Sequence, residues 1–134
     1  MNKSPYPELH NIQDNIVIIK VSGSEISQMS SEELYERVRA AWHNRFEYVA
    51  PAKYCLATYQ GVILDVYEII EWKYANQLDR PKYRELDAKE TIRIGFEGRP
   101  APEEVRRRYQ HHSVKHLFPK GNSSVVRVFM KGEV

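Results

Sequence analysis

The sequence predicts an α+β domain: a small mixed β-barrel or a strongly curved sheet, with helices at its ends. Three observations carry this. Ile16 to Val21 (IVIIKV) is β-branched and almost continuously apolar, the pattern of a central strand covered on both faces. Lys53 to Tyr59 and Val62 to Ile70 read as two strands, and Gln60-Gly61 between them supplies the positive φ of a hairpin turn. The remaining segments give more strands than helices, with the helices at connecting positions, an order that suits a barrel plugged at its ends.

Residues 1–15 are polar and carry Pro5 and Pro7, which predicts a flexible lead-in. Residues 16–134 predict a single domain, long enough to build a core without metal or disulfide staples. Ser22-Gly23-Ser24 ends the first strand. Ser30 followed three residues later by Glu33 fits a capping box and opens a helix expected over Ser31 to His43. On that helix Leu34, Val38 and Ala41 form the row that faces the core. Tyr35, Arg39 and Trp42 form the adjacent row, and Pro51 marks a break. In the second hairpin strand, strict alternation puts Val62, Leu64, Val66 and Glu68 on one face and Ile63, Asp65, Tyr67 and Ile69 on the other. Lys73 to Glu90 is polar, contains Pro81 and predicts a long loop with a helical turn, a length associated with function. Thr91 to Glu97 alternates as a strand. Pro102 with Glu103-Glu104 behind it signals a helix that carries Val105 and Tyr109 inward. A short helix over Ser113 to Phe118 is stopped by Pro119 and Gly121, and Val125 to Met130 closes the sheet.

Composition bounds the function classes. The 134 residues are 42% hydrophobic and 28% charged, with a net charge of +2, well short of a purely electrostatic DNA binder. Any nucleic-acid contact is therefore expected from a local patch. Cys55 is the only cysteine, so no disulfide forms within the chain. The opening MNKSPYPELHNIQDN has no apolar signal-peptide region, and no run is long enough to span a membrane. A cytoplasmic protein without membrane partner or cofactor is the expectation.

The chemistry-bearing residues admit two readings each. Tyr35, Arg39 and Trp42 can form a stacking and hydrogen-bonding wall for a planar heterocycle, since aromatic rings stack on bases and arginine offers a planar donor fork. Equally, Trp42 can pack in the core while Arg39 pairs with Glu36 or Glu32. Trp72 can close a pocket or cap the core. Arg106, Arg107 and Arg108 with Lys115, His116 and Lys120 form the densest basic region. It suits phosphate contact, or a solvated helical face favoured by the helix dipole; Asn122 joins this set as a candidate base or backbone contact. His111, His112 and His116 lack a neighbouring cysteine or acid to complete a metal site, so no metal is expected. Asp65 and Glu68 lie on opposite strand faces and cannot pair as catalytic carboxylates, and GFEG and KGNSS are too short for phosphate-binding fingerprints. No catalytic residue is expected.

The segments ELYERVRAAW, AKYCLATYQGVILDVYEIIEW and FEGRPAPEEVRRRYQHHSVKHLFPKGNSSVV resemble an uncharacterised bacterial domain that follows a GIY-YIG nuclease domain in some proteins. They span most of Leu34 to Val126, and Trp42, Gly61, Trp72 and Gly121 agree with it. Ala40 stands where that domain often has glycine, Ser123-Ser124 replaces Asn-Pro, and the nuclease motif itself does not occur. The strand-turn-strand also resembles PUA-like modules, including the EVE and ASCH groups, which hold nucleic acid or modified bases in a pocket. The resemblance implies a DNA- or RNA-binding module that reads a modified or flipped base. The alternatives are an accessory subunit docking on a nuclease or defence protein, and an enzyme acting on a nucleotide-like molecule.

Overall fold

The computed structural model describes residues 5–89, 92–119 and 124–133. Its nine regular elements are β1 (Ile16–Lys20), α1 (Ser31–Val38), α2 (Phe46–Val49), β2 (Tyr54–Tyr59), β3 (Val62–Tyr74), α3 (Arg84–Ala88), β4 (Ile94–Pro100), α4 (Glu103–Tyr109) and β5 (Val126–Phe129). Short 3-10 turns fill the connections at Ser24–Gln28, Ala75–Gln77, Pro81–Tyr83 and Lys115–Leu117. The strands form one mixed sheet in the order β4-β3-β2-β1-β5. Only β1 and β2 run parallel, because the chain between them makes a crossover that contains α1 and α2. The α+β class follows as predicted. Among the described residues the sheet is open: no ladder joins β4 to β5, and the helices lie over its faces.

β1 is buried on both sides, as its unbroken apolar run requires. Ile16 and Ile18 pack with Leu56, Val105 and Tyr109 on one face. Val17 and Ile19 pack with Cys55, Phe96, Leu34 and Val38 on the other. The capping box at Ser30 is present: Ser30 Oγ accepts from Glu33 N, and Ser30 N donates to the Glu33 carboxylate. Gln60 and Gly61 both take positive φ at the hairpin tip.

Strict alternation fails in β3. The register passes from Ala57↔Asp65 to Thr58↔Ile63, so Leu64 bulges out. The cause lies in the chain after α4: Ile63 N donates to His112 O, and Ile63 O accepts from His111 N. Ile63 and Val66 therefore share one face, contrary to the alternating expectation. β3 also runs on to Tyr74, which places Trp72 inside a strand rather than at its end.

Within the lead-in, the described stretch 7–14 is docked on the domain. Leu9 and Ile12 are buried in the core, Glu8 bridges to Ser113, and Asp14 accepts from Arg108 and from the Tyr109 hydroxyl. Burial, and next the Asp14 hydrogen bond, push the Tyr109 phenol up to about 12. A raised folded-state pKa gives stability that is complete below the ordinary tyrosine value and lost as pH rises through the folded value. Wild type should therefore lose about 2 kcal/mol relative to Tyr109→Phe between pH 10 and 12. Urea midpoints of the two proteins should converge across that window; a constant gap would exclude the Asp14–Tyr109 tie.

Candidate nucleic-acid interface

α1 stops at Val38, five residues short of the expected end, because the outer edge of β4 captures the chain. Phe96 N donates to Arg39 O, and Trp42 and Ile94 exchange both backbone hydrogen bonds. Gly95 permits this approach: a Cβ there would lie 2.4 Å from both Ala40 Cβ and Arg39 O. Gly95→Ala should cost about 1–3 kcal/mol, as an overpacked contact does. Thermal denaturation of that variant checks it, and an unchanged melting temperature would contradict the close approach.

This capture turns Trp42 off the helix and anchors it. Its indole N–H donates to Val38 O at 2.7 Å, and the half-buried ring lines two adjoining clefts of about 410 and 390 Å³. The larger cleft is walled by the end of β1 (Lys20), by Arg37 on α1, by Arg93 ahead of β4, and by Arg80, Tyr83 and Asp87 from the long polar connection. That connection is ordered by Arg80, which is 3% exposed. Its guanidinium donates to Asp87 at 3.2 Å and lies over the Tyr83 ring at 4.2 Å. Burial pulls the Arg80 pKa below its ordinary value, while Asp87 acts in the opposite sense. Lys20 sits over the Phe118 ring at 3.9 Å, and its pKa is lowered by burial and then by Arg127.

The residues expected to form the base wall do not gather there. Arg39 is 4% exposed and faces inward. It donates to Tyr35 Oη, Glu36 and Asp79 O and pairs with Glu97 at 3.5 Å, so the Glu36 alternative holds and the base-contact role does not. The Tyr35 hydroxyl accepts from Gly98 N at 2.8 Å and donates to Gly98 O at 3.0 Å, capping the β4 edge. Trp72 lies opposite Phe96 in the β3–β4 ladder, packs edge-on against it, and lines a separate groove with Phe46 and Ile70.

The basic segment is similarly committed. Arg106 holds Asp65, Arg107 holds Glu103, and Arg108 holds Asp14. Arg106, the one expected to contact phosphate, is thus engaged by Asp65 within the domain. His116 Nε2 lies 2.9 Å from Leu9 O, and its ring packs on His10, so it ties down the lead-in. Lys115 is exposed and lines a larger cavity of about 670 Å³ with Lys20, Tyr59 and Phe118. Lys120, Gly121 and Asn122 lie outside the described residues, as do Glu90 and Thr91.

Of the expected site residues, Trp42 and Lys115 therefore line cavities on the basic side. Sequence reasoning missed Lys20, Arg37, Arg80, Tyr83 and Arg93. Arg80-Pro81 in the long polar connection was the available signal, since a polar segment of that length in a compact domain needs a reason.

Cys55 is fully buried, and burial pushes its thiol pKa up, so it is no nucleophile. Among the described residues no group of three or more His, Cys, Asp or Glu is placed to hold a metal ion, and no helix is long and apolar enough to cross a membrane. Compared with known proteins, the chain matches no protein family, no curated protein and no solved structure.

Proposed function

We propose that this chain is a nucleic-acid-binding domain of PUA-like architecture that holds one base, extruded or modified, against Trp42. The observation that carries the proposal is a half-buried indole set in a cleft with Lys20, Arg37, Arg80 and Arg93, where Glu25 pairs with Arg37 and Asp87 with Arg80. An aromatic face offers stacking that tolerates any base, and the cations suit the flanking phosphates. The cleft volume falls within the range of small-molecule sites. The mixed five-stranded sheet, with the segment after α1 pairing to the β4 edge, is compatible with the PUA-like assignment.

The test is a titration with single-stranded DNA and RNA oligonucleotides in a Trp72→Phe background, where Trp42 is the only indole. Binding should quench its fluorescence. Trp42→Ala, followed by calorimetry, should weaken binding at least fivefold, from the ~1–3 kcal/mol of one base–aromatic stack. Trp42→Phe should stay within a few-fold of wild type. Equal affinity in a folded Trp42→Ala protein rejects the site. Docking on a nuclease through an apolar face would instead show an affinity that barely changes with salt.

A further inference from the structure

The Trp42 cleft does not stand alone. It shares Ala41, Trp42, Arg93 and Val125 with the 390 Å³ cleft on one side. On the other it shares Lys20, Val21 and Ser22 with the 670 Å³ cavity. The three thus neighbour one another in series, the first two meeting at Lys20–Ser22, at and just beyond the end of β1. Lys20, Lys115, Arg37, Arg80 and Arg93 line the series; Arg37 pairs with Glu25 at 2.9 Å and Arg80 with Asp87 at 3.2 Å, and the two lysines carry the argument for a phosphate contact. A separate groove at α1 has the opposite character, with Glu32, Glu33 and Glu36 against Lys82.

Each cavity also presents an aromatic ring. Tyr59 lines the first, Trp42 and Tyr83 the second, and Trp42 again the third. Lys20 lines both the first and the second, with its ammonium held over Phe118. Rings and lysines in neighbouring cavities suit a chain of bases and phosphates.

We infer that the ligand is a single strand of at least three nucleotides, threaded through all three cavities with a phosphate crossing the β1 end at Lys20, rather than one base taken from an otherwise remote duplex. The inference rests on the Trp42 reading and adds to it the length and strandedness of the ligand. A duplex keeps its bases stacked inside and cannot offer them to rings in separate cavities, whereas a single strand can turn successive bases toward successive rings.

Calorimetry with uridine and thymidine monophosphates, with three- and five-nucleotide oligo(U) and oligo(dT), and with a five-base-pair duplex carrying single-strand-blocking end clamps tests this. Affinity should rise about tenfold or more from one nucleotide to three, and the duplex should bind more weakly than the five-nucleotide strand. Lys115→Glu should lower affinity for the five-nucleotide strand about tenfold and leave the mononucleotide unchanged. Lys115→Gln should reduce the salt slope by about 0.7, the share of one single-strand phosphate. If the mononucleotide binds as tightly as the longer strand, or if both Lys115 variants are neutral, the threaded strand is overturned and the Trp42 site survives. If no nucleotide or strand binds and the Trp42 fluorescence does not respond, both fall together.

Discussion

Asp65→Ala is expected to destabilise this domain by about 4 kcal/mol, the largest single effect among the polar positions. Asp65 is 5% exposed and accepts from three directions. Ser31 Oγ donates at 2.6 Å from the start of α1, Val66 N at 2.8 Å from the sheet, and Arg106 Nε at 3.0 Å from α4. The arrangement depends on two features of β3. The Leu64 bulge shifts the register at Asp65, and the β3–β4 ladder ends at Tyr67↔Pro100, which leaves this part of the edge open to α4. One carboxylate thus links helices that pack on opposite faces. Its removal strips the partner from a half-buried guanidinium and leaves the Ser31 hydroxyl without its short bond. Urea denaturation should show a lower midpoint at unchanged slope. Arg106→Gln should also lose stability yet bind oligonucleotides with wild-type affinity when folded. Loss of binding with intact stability would return Arg106 to the interface.

Arg39→Ala should cost about 3 kcal/mol through a comparable mechanism. The guanidinium lies between Glu36 and Glu97 and donates as well to the Tyr35 hydroxyl that caps the β4 edge. Without it, two half-buried carboxylates face each other across a cavity, and the cap on Gly98 loses its support. Arg39→Lys should recover only part of the loss, because an ammonium cannot reach both carboxylates as the planar fork does. Equilibrium unfolding decides this. A stable Arg39→Ala protein with impaired oligonucleotide binding would reverse the assignment and make Arg39 a ligand contact.

Both predictions concern residues whose roles the chain alone left divided. Spacing offered both Glu36 and Glu32 as partners of Arg39, and it could not reveal that Glu97 and Asp79 O complete the cage. Trp42 shared a helical row with Arg39 on paper. The pairing of residues 39–42 with β4 ends α1 at Val38, so the two side chains part: Arg39 turns inward and Trp42 lines the cleft. The capture depends on Gly95, some fifty residues away, and no local pattern reports it. Arg106 illustrates the same limit, because its partner Asp65 became reachable only through a bulge imposed by the backbone of residues 111–112.

Local chemistry sufficed for β1, for the Gln60-Gly61 hairpin, for the Ser30–Glu33 cap and for the inward face of α4. Each of these is set by side-chain period, turn conformation or a hydrogen bond spanning a few residues, interactions the chain carries wherever it goes. Sheet order, the end of α1, the ion-pair partners and the meeting of Lys20, Trp42, Arg80 and Arg93 around one cleft arose from contacts between distant segments. Their energies depend on which edges and faces remain open once the sheet has formed, and that is a property of the assembled domain.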